Sequence, residues 1–120
     1  PAVLAELLPR VDVLLALPDP ALYNAETARL ILLSSYRQGK PLIGPDEQFV
    51  RAGSLAAAYP SVEGMIEATL KLLQHDGLPA TVPEPVYARA AVAWNVHVAR
   101  SYGVIAPDIP AIEKRLEAQQ

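Results

Sequence analysis

Val11-Asp12-Val13-Leu14-Leu15-Ala16-Leu17-Pro18-Asp19-Pro20-Ala21-Leu22-Tyr23-Asn24 is a short apolar run that stops at Pro-Asp-Pro and passes at once into a helical pattern. The run is leucine-rich and nearly continuous, which predicts a strand over 11–17 buried on both faces. Such a strand delivers the Asp19 carboxylate to its own C-terminal end. In open α/β sheets ligands bind at that edge, so one segment indicates both a fold class and a place for a site.

The pattern extends in both directions. Val3, Leu4, Leu7 and Leu8 stand at helical spacing before Pro9. Asp19-Pro20 and Asn24 compete as the cap of the next helix. From Ala25, the residues Ala28, Leu32 and Tyr36 with Leu30, Ile31 and Leu33 predict a helix apolar over most of its girth, hence well covered, and ended by Gly39. Residues 40–44 predict a second strand running into Pro45-Asp46. A β-α-β unit of this length calls for parallel strands and a right-handed crossover.

A brief helix over 47–52, closed by Gly53, precedes a third strand over 54–59. Ser61 then caps a helix carrying Val62, Met65, Ile66, Thr69, Leu70, Leu72 and Leu73, with Gly77 as its stop. Residues 79–85 hold three prolines and predict an extended connector. The run 86–94 alternates more and suits an edge strand. Asn95 caps a short helix up to Gly103, and Asp108 starts a final charged helix. The alternation predicts an α/β fold, a mainly parallel sheet flanked by helices in a single unit over 1–120.

Composition narrows the function. The 120 residues are 52% hydrophobic and 19% charged, as in a globular domain. Ten Lys and Arg stand against 13 Asp and Glu, with neither sign massed, so a nucleic-acid partner, which needs a basic stripe, is not expected. The apolar runs fall far short of the ~20 residues of a membrane span. Absence of cysteine excludes a thiol nucleophile, a disulfide and a thiolate metal site. The chain opens without Met and directly in a helical pattern, so it is expected to belong to a longer protein.

Three predicted strand ends carry polar groups: Pro18-Asp19, Pro45-Asp46 and Tyr59-Pro60-Ser61. In a parallel sheet these ends share one edge, where Asp19, Asn24, Asp46, Tyr59 and Ser61 could converge on one crevice. An acid and an amide beside helix N-termini suit a zwitterion. The alternative is that Asp19, Asn24 and Ser61 only cap helices, and the two roles are compatible. His75 and His97 lack an acidic or imidazole neighbour three or four residues away, so no metal is expected. Ser34 and Ser35 lie in a helix without a nucleophile elbow, and the six glycines form no phosphate-binding motif, so no nucleotide cofactor is expected. No nucleophile, base and oxyanion donor come together, and the expectation is a protein that is not an enzyme.

In order and spacing, Val-Asp-Val-Leu-Leu-Ala-Leu-Pro-Asp-Pro with Tyr-Asn (11–24), Ser-Tyr-Arg-Gln-Gly-Lys-Pro-Leu-Ile-Gly (35–44), Phe-Val-Arg-Ala-Gly-Ser-Leu-Ala-Ala (49–57) and Asn-Val-His-Val-Ala-Arg-Ser-Tyr-Gly-Val (95–104) form a recognisable series. It resembles the C-terminal part of ABC-transporter substrate-binding proteins of the type I periplasmic-binding-protein fold, in the branch with tryptophan- and other amino-acid-binding members. The likeness spans residues 1–110. It implies an extracytoplasmic, two-lobed receptor with a Rossmann-like lobe here, which clamps a small organic solute between lobes, needs no cofactor and hands the solute to a membrane permease. It further implies that Asp19, Asn24, Asp46 and Tyr59 face the ligand and that 44–53 and 79–85 are hinge crossings. One departure is Ile66, where many relatives carry a glycine. The other is the absent first lobe, which normally gives about half of the ligand contacts, so that this segment is expected to bind weakly or not at all and to be capable of self-association. Two other readings remain: a ligand-sensing domain of a signalling receptor with this fold, and a small flavodoxin-like enzyme or regulator.

Overall fold

The computed structural model describes residues 2–74 and 86–119. Helix α1 (Ala2–Leu7) leads through a 3-10 turn (Leu8–Arg10) to β1 (Leu14–Leu15), α2 (Ala25–Arg37), β2 (Leu42–Gly44), α3 (Glu47–Ala52) and β3 (Ala56–Pro60). Then come α4 (Val62–Leu73), β4 (Ala90–Trp94), α5 (Val96–Ser101) and α6 (Ile109–Glu117). The predicted order of elements is the observed one. Gly77, His75 and the connector 79–85 lie outside the described residues.

The chain forms two compact units. Unit 1 comprises 1–58 and 93–107, and unit 2 comprises 59–92 and 108–120. The chain therefore changes unit within β3, within β4 and just before α6. The segment 44–53, expected as a hinge crossing, lies wholly inside unit 1.

The sheet has the order β1-β2-β3-β4. Strands β1 and β2 run parallel with Leu14 beside Leu42, and β2 and β3 run parallel with Ile43 beside Ala56. Asn95 N–H donates to Leu55 O at one end of the β3/β4 pair and Ser61 N–H to Arg89 O at the other. Partner numbers fall along β4 as they rise along β3, so β4 is an antiparallel edge strand on a mostly parallel sheet.

Because the parallel strands follow one another without reversal, right-handed crossovers carry α2 and α3 to the same face of the sheet. Packing agrees: Ala16, Leu32 and Leu42 form the core cluster of unit 1, and both Ile31 of α2 and Phe49 of α3 pack against it. This overturns the expectation of a first strand buried on both faces. Ala16 is buried, but Leu15 and Leu17 on the opposite side are 67% and 65% exposed, because no crossover helix reaches them. Helix α2 is likewise covered on one side only. It buries Leu32 and Ser35, while Leu30, Leu33 and Tyr36 remain exposed. Ser35 is structural, its hydroxyl donating to Ile31 O at 2.7 Å.

Two contacts draw the elements of unit 1 together. Asn95 Oδ1 accepts from the His97 and Val98 amides and caps α5, while its Nδ2 donates to Val50 O of α3 at 2.8 Å. One side chain thus joins the end of β4, the start of α5 and α3. At the far end of α5, the Tyr102 ring meets Tyr36 edge-on at 5.9 Å, and its hydroxyl donates to Lys40 O at 3.3 Å. Burial, with Tyr36 adding to it, pushes the Tyr102 hydroxyl above its ordinary pKa.

Unit 2 is built around Ser61 and Arg89. Ser61 Oγ accepts from Gly64 N–H, capping α4, and donates to Arg89 O at 3.0 Å. Helix and strand come so close that a Cβ on Gly64 would stand 2.6 Å from Arg89 N. The close-approach glycine of this helix is therefore Gly64, two residues before Ile66. Glu113 of α6 accepts from Val92 N–H at 2.9 Å. Among the described residues of unit 2, Gly64 alone is buried.

The Asn95 contacts yield a direct expectation. Asn95→Ala destabilises the fold by about 2 kcal/mol, roughly half from the lost cap and half from the Val50 carbonyl losing its donor. Asn95→Asp keeps the cap and loses only the second part. Urea denaturation measures both, and an alanine variant as stable as the parent would contradict this role.

Candidate ligand-binding groove

The loops at the C-terminal ends of β1 and β2 are shaped by their polar residues. Asp19 Oδ1 accepts from Ala21 N–H at 2.9 Å, and its carbonyl accepts from Leu22 and Tyr23 N–H, which closes a turn. Asn24 then caps α2: its Oδ1 accepts from the Glu26 and Thr27 amides, and Thr27 Oγ1 accepts from Asn24 N–H at 3.0 Å. Of the two competing caps, Asn24 satisfies two orphan helix donors and Asp19 none. Asp46 performs the same task for α3, with Oδ1 accepting from Phe49 N–H at 3.0 Å. That cap sets Phe49 edge-on to Tyr23, with ring centroids 5.5 Å apart and planes at 83°.

Between α2 and α3 lies a groove of about 870 Å³ within unit 1. Asn24 and Asp46 line it, together with Tyr23, Phe49, Arg29 and, farther along, Tyr36. Each cap leaves half of its side chain available. Asn24 Oδ1 serves α2, whereas no hydrogen bond among the described residues engages its Nδ2. Asp46 Oδ1 serves α3, whereas Oδ2 is likewise unengaged. Arg29 is exposed and makes no ion pair among the described residues. A carboxylate, an amide donor and a guanidinium around an aromatic pair can receive an ammonium, a carboxylate and an apolar body.

The structure thus brings Asn24 and Asp46 together. Asp19 is exposed in the preceding turn and does not line the groove. Tyr59 is half-buried in unit 2, where Ser61 caps α4. Unit 2 has its own smaller hollow of about 220 Å³, where Arg89 pairs with Glu67 at 3.4 Å. Arg29 and Phe49 were not singled out by sequence. A signal existed for Arg29: Ala25, Ala28, Arg29, Leu32 and Tyr36 recur at the spacing of one helix face, continuing from Asn24. His97 is exposed, and no group of three or more His, Asp or Glu among the described residues stands ready to hold a metal. No helix of the described residues is long and apolar enough to cross a membrane.

No family model matches the chain, and no curated protein matches it. Two solved structures do. One is the ABC domain in complex with L-Trp from Streptococcus pneumonia, at 20% identity and a TM-score of 0.63. The other is a conserved domain protein from Vibrio cholerae O1 biovar eltor, at 15% identity and a TM-score of 0.61. Each alignment covers 93% of this chain but 38% of the other, so the chain spans well under half the length of either. At these identities the likeness establishes a shared α/β fold.

The double use of Asp46 separates stability from charge. Asp46→Ala costs about 1 kcal/mol through the lost cap, whereas Asp46→Asn, an equally good cap, stays within about 0.5 kcal/mol of the parent. Thermal or urea unfolding of the two variants checks this, and equal losses in both would remove Asp46 from the cap.

Proposed function

We propose that the chain is part of a non-catalytic, extracytoplasmic solute-binding protein that serves an ABC importer, and that it binds a small organic solute such as an amino acid. The observation that carries this reading is the groove of unit 1, where Asp46, Asn24 and Arg29 surround the Tyr23–Phe49 pair. Asp46 takes the ammonium, Arg29 the carboxylate, and the aromatic edges the side chain. Support comes also from the fold shared with a domain whose structure contains L-Trp. The order of sequence segments resembling importer receptors adds the membrane permease as partner. Asp19 and Tyr59 are assigned to the ligand by that resemblance alone.

Calorimetric titration of the chain with L-tryptophan, L-leucine and tryptamine tests this. Binding of both amino acids is expected, with tryptamine weaker because it lacks the carboxylate. Asp46→Asn, which preserves the cap, is expected to weaken amino-acid binding at least about tenfold, the usual scale for a charge-assisted hydrogen bond. Asp19→Ala reports separately on the turn. Absence of heat with every amino acid, or undiminished affinity in Asp46→Asn, would sink the proposal.

A further inference from the structure

The groove of unit 1 is longer than an amino acid, and its two halves differ in chemistry. From Asn24 to Tyr36, both of which line it, helix α2 advances about 18 Å. Asp46 and Arg29 are the charged residues of the lining, and Arg29 stands about 8 Å beyond Asn24 along the helix axis. A further stretch of about 10 Å leads from Arg29 to Tyr36. This far half is lined by Leu32, Leu33 and Tyr36 of α2, Ala52 of α3 and Val98 of α5, with no charged side chain among them. Two anchors hold α5 there: Asn95 ties its start to Val50 O of α3, and Tyr102 at its end meets the ring of Tyr36.

We propose that the preferred solute is an amphiphile, with an amino-acid head at Asp46 and Arg29 and an extended apolar tail that runs over Leu33 towards Tyr36. The inference rests on the reading of the groove as an amino-acid site and adds the length and character of the tail. A zigzag carbon chain advances about 1.25 Å per carbon, so a leucine side chain reaches about 4 Å, whereas about eight carbons fill the 10 Å of the far half. The volume agrees: about 870 Å³ lies near the top of the roughly 300–1,000 Å³ that holds drug-sized ligands. Leu33 and Tyr36 are half exposed without a ligand, so a tail laid on them removes apolar surface from water on both sides of the contact. A charged tail is disfavoured, because the far half offers it no partner for the water it would lose.

Calorimetric titration of the chain with L-norvaline, L-norleucine and L-α-aminooctanoate tests the proposal. Affinity is expected to rise along the series, by about eightfold or more over the three added methylenes, which corresponds to half the free energy of burying them fully. Leu33→Gln is expected to cancel most of that rise and to leave L-norvaline binding unchanged. Glutamine is neutral and so cannot draw Arg29, one turn earlier on α2, into an ion pair. Leu15→Gln, on the exposed side of β1, is expected to change nothing, and circular dichroism verifies the fold of each variant. Equal affinity along the series, or a rise that Leu33→Gln leaves intact, would overturn the inference while the amino-acid reading stands. No binding by any of the three would overturn both.

Discussion

The strand order β1-β2-β3 without reversal is the constraint on which unit 1 depends. Each right-handed crossover moves the same way across the sheet, so α2 and α3 share a face and meet each other as well as the strands. That meeting creates the groove between them. It also brings neither helix to the other side of β1, where Leu15 and Leu17 are exposed although they belong to the most apolar run of the chain. The usual crevice of an open α/β sheet forms where strand order reverses, and no reversal occurs among the described strands. The candidate site therefore lies between helices, anchored at the loops that end β1 and β2.

Capping side chains do most of the positioning. Asn24 and Asp46 each satisfy helix donors with one atom and leave another unengaged among the described residues, and the residues that start α2 and α3 also line the groove. Asn95 uses every polar atom of its side chain within the protein. Its role is structural: it holds β4, α5 and α3 in place behind the groove. The contrast separates candidate ligand contacts from supports among residues of similar chemistry.

Local signals made the fold legible in the sequence. Pro18, Asn24, Gly39, Asp46, Gly53, Ser61, Asn95 and Gly103 punctuate the elements, and caps and breakers act over a few residues, within reach of a sequence pattern. Burial was less legible, because hydrophobicity reports what a segment can bury and not whether anything arrives to cover it. The runs at 11–17 and 28–36 look like core, yet among the described residues one side of each is uncovered. Within the site, Asn24 and Asp46 were visible as polar residues at strand ends. Arg29 and Phe49 join them only through the juxtaposition of two helices, a tertiary fact with a faint helical-face signal.

The central claim is that the α2/α3 groove of unit 1 receives the amine and carboxylate of a small organic solute at Asp46 and Arg29. Titration of the isotopically labelled chain with L-tryptophan, followed by amide chemical shifts, tests it most directly and detects weak binding. Saturable shifts are predicted at the starts of α2 and α3, around Asn24, Arg29, Asp46 and Phe49, with α6 unaffected. Saturable shifts confined to residues outside the groove, or none at millimolar ligand, would contradict it.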